Sequence, residues 1–464
     1  MIVSTTYDIE IDTPVSAASD DSSEVLFLDA DTRKDLNLFG SDSGTDSLFD
    51  FCDRCRTDGG KKVLRRRMES PWSSADRIRA TQSSLAFILK HRAAFGELPS
   101  AYLAKKVERY ASGGLPIVRQ QGTLEFTFEA FFLWAYEDRF YVKITIGVEL
   151  TYRLLAKLRR LVGRVGSASQ DGELAMLIEE MRQLLDRPRL SEIADREAGH
   201  WFWKRLRADQ TFRLHEKETL GRLLQLTYEV DALVAMADVT HEHGFAMPRI
   251  EAGDVHVNAE GVVHPFVANA VANPLELNQH RRVLFLTGPN MAGKTTYLRA
   301  VATALYFAHL GMGVPADRFH FVPVQRLLTS ISVSDNLVDG VSYFRAEALR
   351  VKAVAQAIAD GQRVIAIMDE PFKGTNVKDA FDASLAILEG FATSEDCLFM
   401  VSSHLIELRE RLSSAQHFDY KYFEAEEQGD QLCFDYVLRP GVSSQRLGMR
   451  VLREEGVLDL LNGF

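Results

Sequence analysis

Cysteine is scarce in this chain, four in 464 residues, and that scarcity excludes a disulfide framework. Cys52 and Cys55 form a single C-x-x-C, while Cys397 and Cys433 stand alone. A structural zinc site needs four ligands at paired spacings, and there is no second pair or neighbouring His cluster to complete one. The pair reads instead as two small apolar residues on a helical segment, and the chain as a cytoplasmic one. Cations are also in deficit. Fifty-four Lys and Arg against 65 Asp and Glu give a net charge of −11, which excludes a uniformly basic nucleic-acid coat but not a local basic patch. Met1 to Ala30 holds no Lys or Arg, so the positive start of a secretory signal is missing. Long apolar runs are missing too. Leu124 to Leu150 comes nearest, but Glu125, Glu129, Glu137, Asp138, Arg139 and Lys143 break it, and it cannot span a bilayer.

The remaining text is that of a folded chain with several domains, at about 150 residues each. Residues 1–27 are acidic and rich in Ser and Thr, and read as a strand or a loose lead-in. From 28 to 250 the pattern is mainly helical, with leucines and other apolar residues three and four apart in Thr151–Val165, Gly172–Leu185 and Glu216–His243. Gly113-Gly114-Leu115-Pro116 punctuates that stretch, and Trp201-Phe202-Trp203 reads as helix packing rather than a base-stacking platform. After Glu251 the style changes. Strand-like runs Val283–Thr287, Leu327–Val333, Val364–Met368 and Leu398–Ser402 alternate with helical ones at Thr295–Leu310, Phe344–Asp360 and Ala380–Thr393. That alternation predicts an α/β domain over 251–464 with a mostly parallel sheet.

Gly288-Pro289-Asn290-Met291-Ala292-Gly293-Lys294-Thr295 fits G-x-x-x-x-G-K-[ST] between a strand and a helix. Such a loop turns backbone N–H groups onto phosphate oxygens at a helix N-terminus. Lys294 supplies a point charge for the β- and γ-phosphates, and the Thr295 hydroxyl is placed for Mg²⁺. In Val364–Glu370 an apolar strand ends in two carboxylates: Asp369 for the Mg²⁺ shell and Glu370 to polarise an attacking water. His404 follows another apolar strand and is a candidate donor to the γ-phosphate. Ser342 precedes a helix and by pattern alone is a helix cap.

Together these elements resemble the DNA mismatch repair MutS family. The run Thr287 to Arg299, with Thr296 inside it, resembles the family's TGPNMGGKSTYLR, and Asp369-Glu370-Pro371-Phe372-Lys373-Gly374-Thr375-Asn376 stands where the family has DEIGRGTST. Ser402 to Leu408 resembles ATHYHEL, Tyr436 to Gly448 the closing strand and turn, and Leu28–Leu36 and Gly44–Phe49 the start of the helical core. The resemblance implies an ABC-type P-loop ATPase head, using ATP and Mg²⁺, on a helical core and lever domain. It implies head-to-head homodimers in which Ser342 completes the partner's site. It also implies association with DNA, while the shortness of the chain before Leu28 leaves no place for the family's mismatch reader or connector. Ala292, Arg345 and Phe372-Lys373 depart from the family strings without removing a phosphate, Mg²⁺ or water ligand. The family's adenine-stacking aromatic has no single counterpart, because Phe266 to Pro274 aligns in two ways. Two rival readings remain: levers that grip a protein instead of DNA, and a nucleotide-binding regulator with negligible turnover. The densest basic runs, Lys61, Lys62, Arg65, Arg66, Arg67 and then Lys157, Arg159, Arg160, Arg164, read as solvated helix faces.

Overall fold

The computed structural model describes residues 24–40, 47–166, 172–194, 201–332, 343–373, 375–412, 416–428, 431–443, 445 and 460. In chain order the helices of the first half are α1 (Ala30–Asp35), α2 (Leu48–Cys52), α3 (Asp58–Glu69), α4 (Ala75–Lys90), α5 (Ala101–Ser112), α6 (Thr123–Tyr136), α7 (Asp138–Val165), α8 (Glu173–Leu185), α9 (Pro188–Ala194), α10 (Phe202–Gln210) and α11 (Lys217–Glu242). None of the described helices is long and apolar enough to cross a membrane. The chain forms two compact units that interleave in sequence. One comprises Cys52–Arg67 and Ala80–Val239; the other comprises Ser22–Phe51, Met68–Arg79 and Thr240–Phe464. The sequence suggests one linear boundary near Glu251, but α1, α2 and the Met68–Arg79 stretch fold with the sheet.

The first unit is helical because its apolar residues recur at helical spacing. In α7 the buried set Ile144, Val148, Thr151, Leu155, Leu158, Val162 and Val165 forms one stripe. Gly147 on the same helix lets the Tyr110 ring of α5 approach, and a Cβ there would lie 2.1 Å from that ring. Gly147→Ala is therefore expected to lower stability by about 1–3 kcal/mol through overpacking, measured by urea unfolding. An unchanged midpoint would show that Tyr110 can step aside at no cost. The Tyr110 hydroxyl donates to Asp209 at 2.5 Å, and Asp209 pairs with Arg213, both side chains 1% exposed. Arg213 sits on a π-helical turn, Thr211–His215, and also donates to the Leu115 and Pro116 carbonyls at 2.9 and 2.8 Å. It thereby pins the Gly-Gly-Leu-Pro connector that the sequence marks as punctuation.

The basic runs are engaged within the unit rather than merely solvated. Arg66 and Arg67 pair with Glu229, Arg67 also with Glu173, and Lys61 with Asp53. Lys157, Arg160 and Arg164 converge on Glu97, whose carboxyl they hold below its usual range, Arg160 foremost. Arg159 donates to the Leu185 and Leu190 carbonyls. Phe202 packs as expected, stacked on Trp134 at 5.1 Å, whereas Trp201 and Trp203 remain exposed. Cys52 closes α2 and is buried, its thiol pushed up to about 12 by that burial, and Cys55 lies beyond the helix.

The second unit carries the strands β1 (Arg249–Ile250), β2 (Val257–Val262), β3 (Asn273–Leu277), β4 (Val283–Thr287), β5 (Arg318–Phe321), β6 (Arg326–Ser330), β7 (Val364–Asp369), β8 (Cys397–Ser402), β9 (Phe418–Tyr422), β10 (Ala425–Gln428), β11 (Gln431–Phe434) and β12 (Arg439–Pro440). Its later helices are α12 (Lys294–His309), α13 (Tyr343–Ala359), α14 (Val377–Thr393) and α15 (Leu408–Leu412). The main sheet has the order β12-β9-β4-β8-β7-β6 and is parallel except for the β12–β9 pair. β4 and β8 are buried along their whole length, which is why they read as unbroken apolar runs. A second sheet, β1-β5-β2-β3, has no counterpart in the sequence reading. Its strands are short and alternate buried with exposed residues, a weak signal beside the apolar runs. Of the lead-in, Phe27 exchanges main-chain hydrogen bonds with the β6 edge, taking the Leu327 N–H and donating to Gln325. Behind it, buried Asp35 of α1 accepts from the Thr329 hydroxyl (2.6 Å) and from the Ile331 and Ser332 N–H groups (2.9 and 2.7 Å). Those bonds are the physical reason that α1 belongs to the sheet.

Candidate functional site

Strand register brings the site together. Leu286 of β4 and Asp369 of β7 both stand opposite Ser402 of β8, so the three strands deliver their following loops to one edge of the sheet. Ligands of open α/β sheets bind at that carboxyl edge. From β4 the chain enters the loop at Gly288 (φ +140°) and leaves it at Gly293 (φ +100°), backbone states that side chains rarely adopt. A Cβ at Gly288 would come within 2.7 Å of the Phe423 carbonyl oxygen. Pro289 lies between Gly288 and Asn290; Met291 (φ +71°) is exposed, and Ala292 is buried. α12 opens at Lys294 with no side-chain cap on its N-terminus, which leaves its first N–H groups available to an anion.

Lys294 is 4% exposed and points back into the loop, donating to the Gly288 and Pro289 carbonyls at 2.8 and 3.1 Å. Burial holds its ammonium below the usual lysine range, opposed by the Glu370 and Asp369 carboxylates, and Nζ lies 3.7 Å from Glu370 Oε1. The Thr295 hydroxyl donates to Asp369 Oδ2 at 2.6 Å. Thr296, next on the helix, is exposed. Ser402 donates to the other Asp369 oxygen and accepts the Glu370 N–H at 3.0 Å, so one hydroxyl orients both carboxylate residues. That role was not visible in the sequence, where Ser402 only ends a strand.

His404 Nε2 lies 2.6 Å from Glu370 Oε1 and 2.8 Å from Asn290 Oδ1. Both partners are acceptors, so Nε2 carries the proton. Burial works to raise the Glu370 pKa, but His404 and Lys294 outweigh it and hold the carboxyl below its ordinary range. Glu370 is therefore ionised at neutral pH, the state a water-polarising base requires. Among the described residues no three His, Cys, Asp or Glu side chains are grouped to hold a metal by themselves. Thr295 with Asp369 is instead a donor set that suits Mg²⁺, which takes one or two protein oxygens and completes its shell with phosphate and water.

Gly288 to Thr295, Asp369, Glu370 and His404 are thus brought together. Ser342 lies outside the described residues. Tyr436 joins the site without having been singled out as a candidate. Its ring, 44% exposed, stands against Gly293, where a Cβ would lie 3.1 Å from it. Asn273 of β3 fixes its main chain, donating to the Tyr436 carbonyl at 2.9 Å and accepting from the Leu438 N–H at 2.7 Å. Only a fold that returns the chain from β11 to the loop could reveal that contact, because 143 positions separate Gly293 from Tyr436 (436 − 293).

The family model for MutS domain V matches residues 284–459, and that for MutS domain III matches residues 31–237. This chain belongs to the MutS family. Domain V is the family's ATPase domain, and every described residue of the site falls inside its match. The domain III match covers most of the helical half of this MutS-family chain.

Proposed function

We propose that this MutS-family protein is a Mg²⁺-dependent ATPase of the P-loop, ABC class. The observation that supports it most is the 2.6 Å bond between Thr295 and Asp369, which brings the loop and the paired carboxylates into one site. On this reading the Gly288–Thr296 loop and the α12 N-terminus bind the phosphates of ATP. Lys294 trades two carbonyl partners for phosphate oxygens, a stronger charge-assisted pairing. Mg²⁺, held by Thr295 and Asp369, would neutralise charge on the β- and γ-phosphates. Glu370 orients and polarises the attacking water, and the His404 N–H turns to the γ-phosphate. Tyr436 offers the base a stacking face. Ser342 acts on the partner's nucleotide in a homodimer of ATPase heads, so that binding clamps the heads, hydrolysis releases them, and the helical core and levers (28–250 in the linear scheme) move with them. ATP turnover with Mg²⁺, measured with and without duplex, branched and single-stranded DNA, tests this. Absence of turnover in every condition would refute it.

The family connects the chain with DNA and mismatch repair, and the levers are read as holding DNA in the cytoplasm. A second reading, levers that hold a protein and not DNA, gains support from the internal pairing of Arg66, Arg67, Lys157, Arg160 and Arg164. Each phosphate contact needs a cation, and these are already committed to carboxylates. Retention on DNA that falls steeply between 50 and about 200 mM salt is expected if DNA is the cargo. No retention at the lower salt would leave the protein-holding reading.

A further inference from the structure

Helix α6 is apolar on two opposite faces, and the helical unit uses one of them. Its sequence, TLEFTFEAFFLWAY, holds no Lys or Arg and two acids, Glu125 and Glu129. Phe126, Ala130 and Leu133 are buried where α6 meets α7 and α10. At 3.6 residues per turn, Leu124, Phe128, Phe131 and Ala135 stand on the face directly opposite. All four are exposed, Leu124 at 88% and Phe128 at 74%. Their spacing of four, three and four is that of a helix-pairing seam. A helix that is apolar all round belongs in an interior, and here only the inner face has one.

The size of the face points to a protein partner. The side chains of Phe128, Phe131, Phe132, Trp134 and Tyr136 are 44–74% exposed. At about 150–250 Å² for a whole aromatic side chain, they leave roughly 600 Å² of aromatic surface on one helix. A monomer ordinarily exposes a patch of about 300–600 Å² at most. With Leu124 added, the face approaches the roughly 800 Å² that each partner gives to a stable dimer. A bilayer or nucleic-acid surface would call for cations, whereas α6 itself offers only carboxylates. Those carboxylates also set the direction in which two copies can pair. Glu125 and Glu129 lie on one flank of the seam; Thr127 and Trp134 lie on the other, where Trp134 is held by its stack on Phe202. Antiparallel copies would bring both acidic flanks to the same side. Parallel copies set each acidic flank against an uncharged one.

We propose that the outer face of α6 is a self-association surface, on which two copies of this chain pair their α6 helices in parallel along Leu124, Phe128, Phe131 and Ala135. The contact needs neither nucleotide nor Ser342, and it is separate from the head-to-head dimer of the ATPase reading.

The test is sedimentation of the full chain without nucleotide, as wild type, Phe128→Asp and Ala135→Cys. Wild type is expected to sediment as a dimer in the micromolar range. Phe128→Asp places a charge in the middle of the seam at a position already exposed, so it should raise the dimer dissociation constant about tenfold or more with helix content unchanged. In a parallel pair each Ala135 faces its own counterpart, so Ala135→Cys should give a disulfide-linked dimer on mild oxidation, beyond any seen with wild type. A wild type that stays monomeric, or a Phe128→Asp variant that dimerises as wild type does, overturns the proposal. A monomer that floats with neutral phosphatidylcholine vesicles overturns it too, and gives the face to a bilayer. Absence of the linked dimer from an Ala135→Cys protein that sediments as a dimer rules out the parallel pairing and the proposal with it. No ATP enters the measurement, so a protein without turnover leaves this inference standing, and an active ATPase that is monomeric without nucleotide sinks this inference alone.

Discussion

Glu370→Gln should bind ATP and scarcely hydrolyse it. The substitution keeps the shape of the side chain and an acceptor for the His404 N–H at 2.6 Å, but removes the negative charge that polarises water. Loss of a positioned general base is worth about 10²–10⁴ in rate, so turnover should fall at least a hundredfold while nucleotide affinity is retained or increased. Affinity should not suffer, because the variant also removes a carboxylate 3.7 Å from Lys294 that competes with phosphate for the ammonium. Single-turnover hydrolysis and equilibrium ATP binding measured on the same preparation separate the two effects. Equal slow hydrolysis by wild type and variant would assign Glu370 no part in the chemistry and favour a nucleotide-binding regulator. The pH dependence carries a second signature. The Glu370 pKa is lowered by His404 and Lys294 against the effect of burial, so the loss of activity due to its protonation lies below the usual glutamate range.

Arg213→Met is expected to destabilise the helical unit by about 3–5 kcal/mol. The guanidinium and Asp209 are each 1% exposed, and removing the cation leaves a buried carboxylate with the Tyr110 hydroxyl, one neutral donor for a full charge. Two carbonyls, those of Leu115 and Pro116, lose their donor as well. Burial already raises the Asp209 pKa despite its partner. Without Arg213 the carboxyl should take up a proton, and the deficit should narrow as pH is lowered through the raised value. Replacing both members, Asp209→Leu with Arg213→Met, should cost less than the single change, because no charge is left stranded. Urea unfolding of the three variants gives the comparison. A single variant within about 0.5 kcal/mol of wild type would show that water reaches Asp209.

The parts of the site that were legible in the sequence are those in which chemistry and spacing lie side by side along the chain. The loop shows itself because two glycines, a lysine and a threonine stand at a fixed short spacing, with four residues between Gly288 and Gly293-Lys294-Thr295. Asp369 and Glu370 show themselves because a buried parallel strand is an unbroken apolar run with its polar residues at the end. Helix and strand limits near the site moved by only a few residues: β7 spans Val364–Asp369, and α14 begins at Val377 rather than Ala380. Ser402 and Tyr436 were not legible. Ser402 is one more small residue at a strand end, and Tyr436 one aromatic among 13 tyrosines and 28 phenylalanines. Each acquires its role from a contact with residues distant in sequence, Ser402 with Asp369 and Tyr436 with Gly293.

The sequence alone determined that a helical half precedes an α/β half and which strand–loop–helix carries the phosphate-loop pattern, because periodicity and motif spacing are local properties of the chain. The tertiary structure alone decided that α1 belongs with the sheet through Asp35, that Glu97 pairs with Lys157, Arg160 and Arg164 and Glu229 with Arg66 and Arg67, and that Ser402 holds both carboxylate residues of the site. Those are pairings between residues distant in sequence. What fixes them is which buried polar group finds which partner when the chain closes on itself, and no local pattern encodes that.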